Sequence, residues 1–295
     1  MDRQEELAIV RRAYAKQILA AARISDSRIE AAFAEVRRED FLGPGPWQMF
    51  RLPSAYVASP SADPVYVYVD QLVGLIPERI INNGQPSLHA ILIAAAQIKP
   101  SEHVLHVGAG TGYYTAIMAH LVGPTGKVTA IEYDAALAAR ARACLSGRLN
   151  VSMLEGDGSS APFDAADVIY VNAGVTHPAD TWLDGLSDGG RLILPLTTDE
   201  NIRSVSSMSF DPMKAMRSGV FFRIQRRGAG FEARGLLPTG IIPAVGGARD
   251  KASEAALAAA LNKGGWNTIT RLVRGEAVPE ERCWLRGDGW CLASD

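Results

Sequence analysis

Between residues 107 and 112 the chain reads Val107-Gly108-Ala109-Gly110-Thr111-Gly112, directly after the apolar run Val104-Leu105-His106-Val107. No other segment restricts the possible folds as much. Glycine tolerates positive φ and lets other groups approach the main chain closely. The run therefore reads as a tight turn from a buried strand into a helix over Tyr113 to Leu121. Strand-like runs recur at Lys127 to Ile131, Val151 to Leu154, Val168 to Val171 and Leu192 to Leu194, with an Ala-rich helix at Ala135 to Leu145. Strands alternating with helices imply an α/β fold: a doubly wound, mostly parallel sheet covered by helices.

The flanks are different in texture. Leu7, Ile9, Val10, Tyr14, Ile18 and Leu19 recur at helical spacing, and Ser27-x-x-Glu30 reads as a capping box opening a second helix through Val36. Prolines and glycines from 43 to 64 predict an irregular connector. Val65 to Val69 reads as a short strand, and Ser87 to Gln97 as a helix after Pro86. Beyond Thr198, Ser204 to Phe210 and Val220 to Arg226 read as an antiparallel pair finishing the sheet, and Ala252 to Leu261 as a helix. The expected division is 1-100 as a helical and loop region covering the active site, 101-230 as the core, and 231-295 as a C-terminal extension. That extension carries Trp266, Trp284 and Trp290, which argues for a folded region.

Thirty basic and 32 acidic side chains nearly cancel, so nothing in the balance favours nucleic acid. No stretch approaches the roughly 20 apolar residues of a membrane span. The N-terminus lacks a secretory core. Cys144, Cys283 and Cys291 are few and odd in number, which suits a reducing compartment; buried free thiols are the expected reading, with Cys283 and Cys291 near one another in space as the alternative. The expected location is cytoplasmic. No metal-ligand cluster is found: His103 and His106 share a strand at a spacing that sends them to opposite faces.

In a doubly wound sheet the first glycine turn faces the crevice where cofactors bind. Glu132 follows the second strand at the same end, where a carboxylate can accept hydrogen bonds from both hydroxyls of a ribose. A dinucleotide fingerprint would need glycine at position 113; Tyr113 stands there. The Gly-x-Gly-x-Gly form is the one associated with S-adenosylmethionine (SAM), and a nicotinamide cofactor is the weaker alternative. Asp157, within Gly156-Asp157-Gly158 after the third strand, is placed to accept from an adenine amine, with Gly158 leaving room for the ring. Val107, Ala109, Gly112, Tyr113, Tyr133 and Asn172 complete the cofactor-binding candidates. Asn172-Ala173-Gly174 leaves space at the fourth strand's tip. His89 and His177 are candidate substrate contacts, whereas His103, His106 and His120 read as structural.

Together, the glycine motif at 104–112, Gly-Asp-Gly at 156–158, Ala-Gly at 173–174 and Gly-Gly-Arg-Leu-Ile-Leu-Pro at 189–195 resemble the protein-L-isoaspartate O-methyltransferase family in order and spacing. The opening Val36-Arg37-Arg38-Glu39-Asp40-Phe41-Leu42 and Gln85-Pro86 before a helix resemble it too. The resemblance covers about residues 10 to 200. It implies a Rossmann-like SAM methyltransferase transferring methyl to a carboxylate of a protein or peptide, with Gly108, Gly110, Glu132 and Asp157 on the cofactor. Where the family carries Thr-x-Ser on the loop over its substrate, this chain has Asn82-Asn83-Gly84-Gln85. Asn82, Asn83 and Gln85 are the candidate catalytic residues. A small-molecule or biosynthetic-peptide acceptor is the alternative.

Overall fold

Asp2 starts the first helix, accepting the Glu5 N–H at 2.9 Å while Glu5 reaches back to the Asp2 N–H at 3.1 Å. Two of the orphan donors of a helix start are thereby satisfied. The computed structural model describes residues 2–51, 55–199 and 218–295. Within it the chain forms two units, Met1–Glu102 with Ala109–Glu155, and His103–Gly108 with Gly156–Asp295.

In the first unit, α1 (Arg3–Ala22) buries Leu7, Tyr14, Ile18 and Leu19 on one face and ends at Arg23, in the left-handed region. α2 (Ser27–Glu35) is capped by Asp26, which accepts from Arg28 and Ile29. The predicted Ser27 cap is thus one residue late, because the stronger acceptor precedes it. The expected irregular connector contains a hairpin, β1 (Gln48–Arg51) with β2 (Ala55–Ala58). The strand expected at Val65 to Val69 is instead a 3-10 turn over Pro64–Val67. Proline fixes φ at its start and Asp63 accepts the Val65 N–H, so the chain coils there. β3 (Gly74–Ile76) pairs with β4 (Ile81–Asn82), and α3 (Pro86–Ala96) follows.

β5 (His103–Val107) belongs to the second unit, and all five of its residues are buried. The chain then returns to the first unit for α4 (Tyr113–Val122), β6 (Lys127–Glu132), α5 (Ala135–Leu145) and β7 (Val151–Glu155). β6 and β7 pair in parallel, Val128 opposite Val151 and Glu132 opposite Glu155.

The second unit adds β8 (Ala166–Val171), α6 (Asp180–Gly185), β9 (Leu186–Thr197), β10 (Gly219–Arg227), β11 (Gly230–Thr239), α7 (Lys251–Lys263), β12 (Arg271–Arg274), β13 (Cys283–Gly287) and β14 (Trp290–Ala293). Its strands run in the order β13-β14-β12-β11-β10-β9-β8-β5. β8 lies parallel to β5 and to β9; every pairing from β9 outward is antiparallel. The α/β class holds and the sheet is mixed: β10–β11 and β13–β14 are hairpins, and antiparallel neighbours need no helical crossover. The expected strand at Val220 to Arg226 lies inside β10; the one at Ser204 to Phe210 falls outside the described residues.

The cysteine expectation is corrected. Cys283 and Cys291 form a disulfide with Cα atoms 6.0 Å apart, leaving Cys144 free and half-buried. Sequence spacing did not show that these two residues lie on adjacent antiparallel strands.

Candidate functional site

In the first unit, the glycine turn is tied to the end of β6. Ala109 donates its N–H to the Ile131 carbonyl at 3.2 Å. Gly110 donates to Glu132 Oε2 at 2.7 Å, and Glu132 Oε1 accepts the Asp134 N–H at 3.0 Å. Burial pushes the Glu132 carboxyl above its ordinary range, against the pull of the Asp134 and Gly110 N–H groups. A carboxylate has about four acceptor positions, so beyond the Gly110, Asp134 and Tyr133 main-chain donors this one retains capacity for a further hydroxyl. Gly110 and Gly112 take φ of 58° and 95°. A Cβ at Gly112 would also stand 2.7 Å from Leu145 Cδ1, so packing as well as backbone requires glycine there.

Thr111, between them, is buried, and its hydroxyl has no hydrogen-bond partner among the described residues. A buried hydroxyl in that state calls for a bound water or ligand. This orphan in a glycine turn beside a ribose-type carboxylate fits an adenosyl cofactor. Tyr113 turns into the core against Tyr14, Phe33 and Phe41, while Tyr133 is half-exposed. Thr111 was not among the sequence candidates, although it lies inside their motif; only its burial marks it out.

In the second unit, Asn172 N–H donates to the Val107 carbonyl at 2.8 Å, and a Cβ at Gly108 would meet the Asn172 carbonyl oxygen at 3.1 Å. The ends of β5 and β8 are therefore held together with no room for a side chain. Asp157 Oδ1 accepts the Ser159 N–H and hydroxyl, and Oδ2 accepts the Gly247 N–H at 2.8 Å. Burial alone would raise this carboxyl, but Gly247 and Ser159 hold it below the usual range. Gly156 has open space where a Cβ would project, whereas at Gly158 a Cβ would strike Val107 Cγ1 at 2.5 Å. His177 Nδ1 lies 3.3 to 3.4 Å from Thr176, Ser253 and Asp250, at the start of α7. The part of Gly247 was not foreseen, for nothing local in its Gly/Pro-rich stretch points to residue 157.

The Asn82–Gln85 loop lies in the first unit. Asn82 closes its own turn, Oδ1 accepting the Gly84 N–H at 2.9 Å and Nδ2 donating to Ile80. Asn83 is buried and accepts from Arg38 at 3.1 Å; Gln85 Nε2 donates to Asp70 at 3.2 Å. Gly84, at φ 77°, sits so close to His89 that a Cβ would fall 2.3 Å from its Nε2. His89 is itself buried and stacked on Tyr114, with ring centroids 3.5 Å apart. The structure thus brings Asn82, Asn83 and His89 around Gly84.

A family model described as protein-L-isoaspartate(D-aspartate) O-methyltransferase (PCMT) matches residues 12–210. The chain belongs to that family. A protein-L-isoaspartate O-methyltransferase of Thermotoga maritima is 34% identical over 177 residues, 59% of this chain and 51% of that protein. The chain thus spans about half the length of that relative. The Roseiflexus castenholzii protein of the same name is 29% identical over 231 residues, covering 76% of this chain and 87% of its own. A solved protein-L-isoaspartate O-methyltransferase structure matches at a TM-score of 0.63 and 28% identity, over 81% of this chain and 67% of that one. A Plasmodium falciparum structure described as a beta-aspartate methyltransferase (PCMT) in complex with S-adenosyl-L-homocysteine matches at a TM-score of 0.57 and 16% identity, over 79% of this chain and 97% of that one; this likeness shows the fold alone. PCMT chains are class I SAM-dependent methyltransferases in fold.

Proposed function

We propose that this chain is a SAM-dependent O-methyltransferase acting on a carboxylate, with the isoaspartyl group of a protein or peptide as acceptor. The observation that carries the reading is the buried Glu132 carboxylate held to the Gly110 N–H beside the orphaned Thr111 hydroxyl. Glu132 would accept a ribose hydroxyl, and Asp157, kept ionised by Gly247 and Ser159, would accept the adenine amine. In the first unit Ala109, Gly110 and Gly112 allow close approach to the main chain, with Tyr133 as a further candidate; in the second, Gly108 does the same, with Val107, Gly156, Gly158 and Asn172 as further candidates. In this reading residues 101-230 form the SAM-binding core, 1-100 cover the acceptor, and 231-295 are an addition.

When bound, the cofactor supplies a methyl group on a sulfonium, open to in-line displacement. An acceptor carboxylate, with an ordinary pKa near 4, is already ionised at neutral pH and needs no general base. The chain's task is then to orient the acceptor and exclude water. Asn83, its Oδ1 engaged by Arg38, has Nδ2 left to donate to a carboxylate, in place of the family's loop hydroxyls. His177 and His89 contribute to the acceptor side, with His89 acting through Gly84. A nucleic-acid partner is no part of this reading. A cytoplasmic location is, and it must accommodate the Cys283–Cys291 bond.

The test is incubation of an isoaspartyl peptide with methyl-labelled SAM. The expected product is a base-labile methyl ester; an unlabelled peptide at saturating SAM removes the isoaspartyl assignment. The tied-back amide of Asn82 favours, as second reading, a small-molecule or biosynthetic-peptide acid, which a screen of carboxylate metabolites with the same label would reveal.

A further inference from the structure

Arg38 is fully buried in the 3-10 turn Arg38–Phe41. A buried cation ordinarily needs an ion-pair partner. Among the described residues no carboxylate hydrogen-bonds to this one. Its Nη1 donates to the carbonyls of Val67 at 2.8 Å and Val69 at 2.9 Å. Its Nη2 donates to Gln71 at 2.8 Å and to Gly84 at 3.5 Å, and its Nε to Asn83 Oδ1 at 3.1 Å. All three guanidinium nitrogens thus bond to two chain segments, 67–71 and 83–84, while the charge also faces Tyr14, Tyr113 and the Asp70 carboxylate. The planar fork presents its donors in fixed directions, so these bonds set the segments' positions relative to one another.

Asp70, at the middle of the first segment, carries the connection onward. Its Oδ1 accepts the Ser87 N–H at 2.9 Å, at the start of α3, and its Oδ2 accepts from Gln85. The Tyr114 hydroxyl donates to the Gly84 carbonyl at 3.2 Å from the far side. Residues 83 to 87 are therefore tied at both ends to one buried cation and the loop it organises.

We propose that Arg38 is the positioning residue of the acceptor loop: it touches no substrate but holds Asn83 and Gly84 where the acceptor meets them. This rests on the reading of Asn82–Gln85 as the acceptor loop. Lysine at this position keeps the charge but loses the fork. Glutamine has no charge to bury and keeps one donor toward Asn83 or Gly84.

The test compares wild type with Arg38→Lys and Arg38→Gln in three measurements: methylation kinetics on an isoaspartyl peptide, S-adenosylhomocysteine affinity by calorimetry, and amide hydrogen exchange. The expected result is a loss of at least 100-fold in kcat/KM for the peptide, with cofactor-product affinity within threefold. Exchange at Asn83, Gly84 and Ser87 should rise at least tenfold while β6 amides keep their protection. Equal loss of peptide and S-adenosylhomocysteine affinity, uniformly faster exchange, or failure of both variants to fold would overturn the proposal in favour of a purely structural arginine. Unchanged exchange and kinetics would overturn it outright. If wild type binds S-adenosylhomocysteine yet leaves the peptide unmethylated, the acceptor reading fails instead, and the exchange pattern alone decides whether Arg38 orders residues 83–87.

Discussion

At the scale of single residues, Glu132 is a buried charge kept at the expense of the fold. Its carboxyl is mostly buried and is pushed above the ordinary range because burial disfavours the charge, despite the main-chain donors Asp134, Gly110 and Tyr133. A carboxyl raised in the native state binds more protons folded than unfolded. Stability therefore falls as pH rises from about 4.5 through the native value, and the deficit persists at neutral pH. Glu132→Gln removes the charge but turns one oxygen into a donor facing a main-chain N–H, so the readout is the pH slope: between pH 5 and pH 8 the variant's thermal midpoint should fall less than the wild type's. The same variant should weaken S-adenosylhomocysteine binding by about 10- to 100-fold, the range expected when hydrogen bonds to a charged group worth about 1.5–3 kcal/mol are lost. Calorimetry and melting curves on one preparation check both halves. Wild-type affinity would remove Glu132 from the cofactor, and an unchanged pH slope would refute the charge argument.

At the scale of elements, β5 carries an imidazole where a strand buried on all sides would ordinarily be aliphatic. His106 is fully buried, packed edge-on against Tyr170 of β8, and burial pushes its pKa down to about 3. The unfolded chain takes a proton near pH 6.5 and the folded one does not, so stability is fully present above that value and declines below it. The slope is about 1.4 kcal/mol per pH unit, or about 3 kcal/mol lost between pH 7 and pH 4. Urea titrations at those two pH values should show it, and His106→Leu should lessen the acid loss by that amount. An identical acid loss in the variant would mean that other groups drive it. The histidine's structural part was legible in the sequence from its place in an apolar run. Its protonation state was not, because that depends on how completely β8 and the surrounding chain exclude water.

At the scale of the whole molecule, the family match ends at residue 210, yet the strands of the second unit continue to residue 293. β10 and β11 extend from β9, β12 and β14 carry the sheet on, and Trp284 packs on Phe222 of β10 with ring centroids 5.5 Å apart. Trp284 is buried and donates its Nε1–H to the Gly264 carbonyl at 2.7 Å. Trp284→Ala should cost about 3–5 kcal/mol, as large-to-small changes in cores do. Because the strands are shared, the second unit should still melt in one calorimetric transition. A separate low-temperature transition for the C-terminal strands would show instead that they fold on their own.

Local patterns determined much of this protein. A glycine run after an apolar strand dictates a tight turn, because few other residues adopt positive φ. Alternating apolar periodicities dictate strands and helices in the order observed between residues 103 and 197, and Glu132 follows from its place at a strand end. What tertiary structure alone decided are contacts between residues far apart in the chain. Arg38 reaches Gly84, Gly247 reaches Asp157, Cys283 meets Cys291 across a strand pair, and Thr111 is left without a partner among the described residues. The physical reason is that periodicity records which face of an element is buried, whereas a hydrogen bond or a disulfide requires two atoms at a set distance, and that distance exists only once the chain has folded.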